Sequence, residues 1–380
     1  MSDLDLSEDE RAIQDAARAF SRDKLAANSA KWDAEAYFPV ETMREAAALG
    51  FAGLYVKEDV GGSALSRLDA SLVFEQLSYG DVATAAFISI HNMASWMVDQ
   101  FASDDLRRRY LPRMTSMELI ASYCLTEPNA GSDAGALATT AKADGNDAYL
   151  LNGSKAFISG AGTSDVYVVM ARTGGEGPAG VSTFVVEKDM PGLSFGAPEK
   201  KMGWNAQPTA QVNFDNVRVP AENRVGEEGE GFRIAMRGLD GGRINIASCS
   251  LGGATLALDL ARDYLKQRKQ FGRPLADFQA LQFRLADMAT ELEAARLMVR
   301  SAARALDAGH PEATKRCAMA KRFATDAGFN VANEALQLHG GYGYLRDYPL
   351  ERIVRDLRVH QILEGTNEIM RLIIARQELA

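Results

Sequence analysis

The chain has 380 residues, 47% of them hydrophobic, and a formal net charge of −9 at neutral pH. That length suits two or three structural units around a large buried core. Charges of both signs are interspersed, which argues against a nucleic-acid partner and leaves no basic stripe for anionic lipid.

Residues 1–118 read as helical. Ser7 followed three residues later by Glu10 has capping-box spacing, with Glu8 and Asp9 in the first turn. Ala-rich amphipathic runs recur at Val40–Leu49, Leu68–Tyr79 and Ala83–Phe101. Residues 119–225 change character. Asp147–Leu151, Asp165–Met170, Ser182–Val186 and Thr209–Phe214 are short β-branched or aromatic runs separated by Gly, Asn, Pro and Asp, and they predict an antiparallel β unit. Residues 226–380 are helical again. Ile244–Arg268, Asp277–Leu306 and Glu312–Leu338, with a fourth run after Pro349, predict a helical bundle. Strands segregated between two helical regions make this an α+β fold rather than a parallel α/β sheet. Three cysteines (Cys124, Cys249, Cys317) and four histidines (His91, His310, His339, His360) show neither disulfide nor ligand spacing, so no metal site follows. The acidic first residues hold no apolar signal core, and no apolar run reaches the roughly 20 residues of a membrane span. A reducing, cytoplasmic setting is the expectation.

Five stretches are candidates for chemistry. Gly175–Gly180 (GEGPAG) matches a dinucleotide fingerprint by letter, but it joins two strands, holds Pro178 and opens no helix. It reads as a surface hairpin loop. Tyr123–Asp133 (YCLTEPNAGSD) ends a strand in small residues and hydroxyls. Thr126, Ser132 and the local amides can bind a heterocycle or phosphate, although an ordinary turn has the same composition. Lys155–Gly160 places Phe157 and Ser159 two apart, one able to stack on a flat ring and the other to donate to a heteroatom. Phe in a strand is more often a core residue. Gly238–Arg243 (GLDGGR) opens a long helix with paired glycines that allow close approach to the backbone. Asp240 and Arg243 either pair with each other or contact a substrate. Val359–Glu368 is the strongest candidate, because Glu364 follows apolar Ile362–Leu363 and precedes Gly365. Burial there raises a carboxyl pKa towards that of a competent base, whereas a solvated loop glutamate stays acidic.

Taken in order, these segments resemble the acyl-CoA dehydrogenase family across essentially the whole chain. The resemblance is carried by KAFISGAG (155–162), GWNAQP (203–208), GGRINIASCSL (241–251) and VHQILEGTNEIM (359–370), and is nearest to members acting on isobutyryl-CoA. Asp240 departs from those members, which carry Asn there, but Asp is common elsewhere in the family. The resemblance implies an N-terminal α-helical domain, a central β domain and a C-terminal four-helix bundle, with FAD between the last two. Tyr123, Leu125, Thr126, Gly131, Ser132, Phe157, Ile158 and Ser159 are implied to flank the flavin, with Thr366, Asn367 and Glu368 meeting it beside the base. Arg268, Phe271, Phe278, Gln279, Gln337, Leu338, His339, Gly340 and Gly341 are implied to hold FAD across a dimer interface. Ser132, Asp240, Gly241, Gly242, Arg243, Gly365 and Arg376 are implied substrate contacts.

Glu364 is the implied base for the α-proton. Some relatives carry the base just before the arginine matching Arg243, but here that position is Gly242. A backbone N–H at the base and a flavin hydroxyl are implied donors to the enolate oxygen; such donors contribute about 3–4 kcal/mol. The implied partners are an acyl-CoA substrate, an electron-transferring flavoprotein and further copies of the chain in a homotetramer built as a dimer of dimers. The implied reaction is isobutyryl-CoA to methacrylyl-CoA in valine breakdown, with butyryl-CoA and 2-methylbutyryl-CoA as alternative substrates. A flavin oxidase or monooxygenase on the same fold and a flavin-free helical scaffold are the competing classes.

Overall fold

The computed structural model describes residues 6–380. The chain's first helix starts where its capping box lies. The Ser7 hydroxyl accepts the Glu10 amide at 3.1 Å, and the Glu10 carboxylate accepts the Ser7 amide at 2.7 Å. Helices α1 (Glu8–Phe20), α2 (Ser29–Glu35), α3 (Val40–Ala48), α4 (Arg67–Gly80), α5 (Val82–Phe101) and α6 (Asp104–Thr115) form the N-terminal part. The three Ala-rich runs correspond to α3, α4 and α5.

The middle part comprises β1 (Ala121–Cys124), β2 (Thr140–Asp144), β3 (Ala148–Ser159), β4 (Val166–Arg172), β5 (Val181–Glu187), β6 (Leu193–Phe195), β7 (Thr209–Pro220) and β8 (Arg224–Val225). Their order is β6-β7-β3-β2-β4-β5-β8, with β1 beside β4. Pairing is antiparallel except at β4, where β1 runs parallel from Ala121↔Val166 to Cys124↔Val169 and β2 touches in parallel at Thr140↔Arg172. A parallel pair needs a crossover between its strands, and the β2–β3 hairpin supplies it. Val166, Val168 and Met170 of β4 face a core shared with α5 and α6, whereas Tyr167, Val169 and Ala171 face Tyr149, Phe184 and Phe214. Burial on both faces explains why this strand reads as one apolar run without alternation.

The C-terminal part holds α7 (Gly231–Gln267), a small hairpin of β9 (Lys269–Gln270) and β10 (Arg273–Pro274), then α8 (Gln279–Asp307), α9 (Ala313–Leu338), α10 (Leu350–Arg358) and α11 (Asn367–Glu378). Each of the three long runs is one unbroken helix, of 37, 29 and 26 residues. The GLDGGR glycines lie inside α7 rather than at its start, because the helix already begins at Gly231. By length and composition α7 would pass for a bilayer span, a longer apolar stretch than the sequence suggested. Yet 72% of that stretch is buried inside the protein, making α7 the shared core helix.

Where α7 crosses α4, the Ser78 hydroxyl donates to the Cys249 carbonyl at 2.5 Å, and a Cβ added at Gly252 would overlap the Glu75 carbonyl. Backbone cannot yield as a side chain can. Gly252→Ala, which in an open helix would stabilise by roughly 1 kcal/mol, should instead destabilise by about 1–3 kcal/mol. A lowered melting transition in scanning calorimetry is expected; a raised one would show that the two helices are free to separate.

Candidate active site

A cleft of about 1760 Å³ lies between the β part and the C-terminal helices. Its β-side wall is fixed by a buried ion pair. Fully buried Lys155 places Nζ 2.8 Å from Glu127 and 3.1 Å from the Leu125 carbonyl, while Glu127 accepts the Ala138 and Thr139 amides at 2.6 and 2.9 Å. Those bonds offset the desolvation of both charges and pin the loop after β1, bringing Leu125, Thr126, Gly131 and Ser132 onto the cleft. The Arg172 guanidinium then donates to the carbonyls of Gly135, Leu137, Gly175 and Gly177. The GEGPAG segment is the β4–β5 hairpin loop as expected, and this staple makes Glu176, Gly177 and Pro178 part of the cleft lining.

Phe157 is not a core residue. The β3–β7 register shifts between Lys155 and Ile158, and Phe157 takes φ +58° with 68% of its surface exposed while Ala156 and Ile158 stay buried. A non-glycine residue in left-handed backbone costs on the order of 1–3 kcal/mol, and the bulge turns the ring out of the strand's alternation. The ring lines the cleft with Ile158 and Ser159, a flat apolar platform beside a hydroxyl.

Glu364 enters from the loop between α10 and α11. Its φ is +57° and that of Gly365 +87°, two left-handed residues in succession. Arg243 Nε donates to the Glu364 carbonyl at 3.3 Å and Lys321 Nζ to the Gly365 carbonyl at 2.8 Å. The residue is half-buried, but its Oε2 is shut off from solvent and has no hydrogen-bond partner among the described residues. Burial pushes this carboxyl up to about 7 against the opposing pull of Arg243 and Lys321. A Cβ at position 242 would lie 2.5 Å from Oε2 and 3.0 Å from the Met93 sulfur. Gly242 is therefore the slot into which the carboxylate fits.

The remaining expected residues divide. Tyr123, Arg243, Gly365, Thr366 and Arg376 line the same cleft as Glu364. Asp240 does not: one oxygen accepts from Arg243 at 2.7 Å and the other from Thr314 at 2.7 Å, so Asp240 and Arg243 form an ion pair. Gly241 backs onto the Arg67 guanidinium, and the Asn367 side chain is engaged by α9. Glu368 is exposed outside the lining. Arg268, Gln337, Leu338, His339, Gly340 and Gly341 line a separate concavity of about 540 Å³, where the Tyr264 ring stacks on His339 at 4.2 Å. Phe271, 92% exposed, tips the β9–β10 hairpin; Phe278 sits under the Arg273 guanidinium, and exposed Gln279 begins α8. One chain does not bring this second group to the first cleft. Sequence reading missed Ile90 and Met93 of α5 and Arg172, which line the cleft, and Lys321 behind it. Apolar residues in an apolar helix carry no distinguishing signal.

Family profiles for the N-terminal, middle and C-terminal domains of acyl-CoA dehydrogenases match residues 7–118, 122–217 and 229–379. The chain is 59% identical to the mitochondrial isobutyryl-CoA dehydrogenase of Dictyostelium discoideum, over 98% of this chain and 89% of that one. It is 58% identical to its Bos taurus namesake, over 99% and 90%. It superposes on butyryl-CoA dehydrogenase of Megasphaera elsdenii with a TM-score of 0.96 at 39% identity, covering 99% of each chain. The chain belongs to the acyl-CoA dehydrogenase family, flavin-dependent oxidoreductases acting on CH–CH bonds.

The raised Glu364 pKa bears on stability. The folded protein holds this proton more tightly than the unfolded chain, so the contribution is intact below the ordinary carboxyl pKa of 4.5 and is lost as pH rises towards about 7. Glu364→Gln should therefore melt higher than the parent at pH 8, by the equivalent of up to roughly 3 kcal/mol, and come within about 1 kcal/mol of it near pH 5. Calorimetry at both values checks this, and a gap of equal size at both would refute it.

Proposed function

We propose that the chain oxidises isobutyryl-CoA to methacrylyl-CoA, a step of valine breakdown, with Glu364 as the base. The observation that carries this reading is Glu364 Oε2, shut off from solvent without a hydrogen-bond partner among the described residues, on a carboxyl poised near neutrality in the cleft that also exposes the Phe157 ring. The residues present fit FAD: Phe157 offers a stacking face, and Thr126, Ser159 and Thr366 offer polar groups on the same cleft. When bound, FAD supplies the two-electron acceptor for the β-hydride. This chain's part is to seat the thioester with its α-carbon at Glu364 and to take the α-proton onto Oε2. As that C–H bond breaks, its electron pair forms the Cα–Cβ double bond and the β-hydrogen leaves as hydride. Arg243, bonded to the Glu364 carbonyl, keeps the base in register.

The isobutyryl preference is supported by the 58–59% identity to two isobutyryl-CoA dehydrogenases. Ile90, Met93, Tyr123 and Leu239 give the cleft an apolar wall for a short acyl group. One methylene in such a pocket is worth about 1–3 kcal/mol, or roughly 10–200-fold. In a panel of short acyl-CoAs, kcat/KM should be highest for isobutyryl-CoA, with butyryl-CoA still oxidised; a higher value for butyryl-CoA or 2-methylbutyryl-CoA would overturn the substrate while leaving the reaction type. Glu364→Gln should keep its flavin yet lose nearly all turnover, since an amide cannot accept the proton.

An electron-transferring flavoprotein is the proposed acceptor. Substrate-reduced enzyme should accordingly reoxidise slowly in air, whereas rapid reoxidation would favour an oxidase. The assembly proposed is a homotetramer built as a dimer of dimers, in which one chain's Arg268 and Gln337–Gly341, set on a concavity apart from the Glu364 cleft, complete its neighbour's FAD site. Arg268→Ala should then lower flavin retained after gel filtration, and a monomer holding FAD tightly would contradict the shared site. The three cysteines are buried free thiols, which supports a reducing compartment, the cytoplasm or an organelle interior of similar redox poise.

A further inference from the structure

Lys321 sits in the middle of α9 with its side chain fully buried. A buried ammonium is costly unless its hydrogens are taken up. Its Nζ donates to the Gly365 carbonyl at 2.8 Å and to Asn367 Oδ1 at 2.9 Å. Asn367 in turn donates to Thr325 Oγ1 at 2.9 Å and Asp326 Oδ1 at 2.7 Å, and Gln361 donates to the same Asp326 oxygen at 2.8 Å. Little more than one turn of α9 thus grips both ends of the loop that carries Glu364. Between the grips lie two left-handed residues, a conformation that persists only where its surroundings over-determine it.

We infer that Lys321 is a positioning residue for the reaction, holding the Glu364–Gly365 turn from behind and lending the charge that favours an ionised base. The inference rests on Glu364 being that base. The charged groups facing the ammonium are Glu364 from the loop, Arg243 from α7, Asp326 from α9 and Glu368 from α11. Burial pushes Lys321 down to about 7 while Glu364 pulls it back up, so each member of the pair favours the charged form of the other. Arg243 cannot replace it, because its bond is to the Glu364 carbonyl, one peptide earlier. A base displaced by an ångström loses up to about 100-fold in rate.

The test uses the flavin-loaded enzyme with isobutyryl-CoA. Lys321→Met removes both charge and donor; kcat should fall at least about tenfold, and the acidic limb of kcat against pH should move up by about one unit. Because a buried substitution can disturb folding, Lys321→Gln is the second variant. Its amide keeps a donor for the Gly365 carbonyl without the charge, so kcat should partly recover while the limb stays displaced. The ratio of flavin to protein absorbance should match the parent in both. A purely structural lysine would lower yield or flavin content without moving the limb. An unmoved limb in Lys321→Gln, with Glu364→Gln inactive, overturns the role of Lys321 alone. An active Glu364→Gln overturns the base assignment itself.

Discussion

A carboxylate that has lost its water must be compensated by its surroundings, and the elements around Glu364 are arranged to compensate it only in part. An opposite charge within a few ångströms ordinarily lowers a carboxyl pKa by about 1–3 units. Arg243 and Lys321 both pull in that direction, yet the group still ends near 7, so desolvation wins. Stronger neutralisation would leave a weak base, and weaker neutralisation a carboxylic acid that stays protonated. The cations achieve the intermediate by bonding to the two consecutive backbone carbonyls of the turn, those of Glu364 and Gly365, rather than to the carboxylate itself. Their charge is felt while Oε2 stays free to take a proton.

That balance requires room, and α7 makes it. A glycine inside a helix costs roughly 1 kcal/mol relative to alanine, yet α7 carries two in succession. At 242 the missing Cβ is the space taken by Oε2. At 241 it is space taken by Arg67, whose guanidinium lies 3.7 Å from the Tyr55 ring centre and 4.7 Å from that of Trp96. A cation beside two aromatic faces gains cation–π stabilisation, and the Asp307 carboxylate, which accepts the Arg67 backbone amide at 2.7 Å, adds an attractive charge nearby.

The fold was legible wherever local chemistry and burial agree. The Ser7–Glu10 capping box, the Ala-rich helices and the strand runs all have local causes. The parallel seating of β1 does not, since it depends on Ile120 and Asp165 meeting across 45 residues. The start of α7 was misread because two adjacent glycines look like a boundary when their close neighbours are unseen. Glu364 could be singled out from its apolar flank and following glycine. Phe157 could not be separated from a core residue until the bulge turned it outward. Lys321 looked like any lysine on an amphipathic helix, and only three-dimensional packing shows it to be buried.

The cleft draws on residues from Ile90 to Arg376. Its two decisive side chains, Phe157 and Glu364, come from parts joined by long-range contacts and not by local turns. Contacts so distant along the chain form late in folding, since loop closure must precede any reward for making them. The cleft thus reports on the whole fold, since the Phe157 platform and the Glu364 carboxylate share a wall only where the β part and the C-terminal helices are packed together.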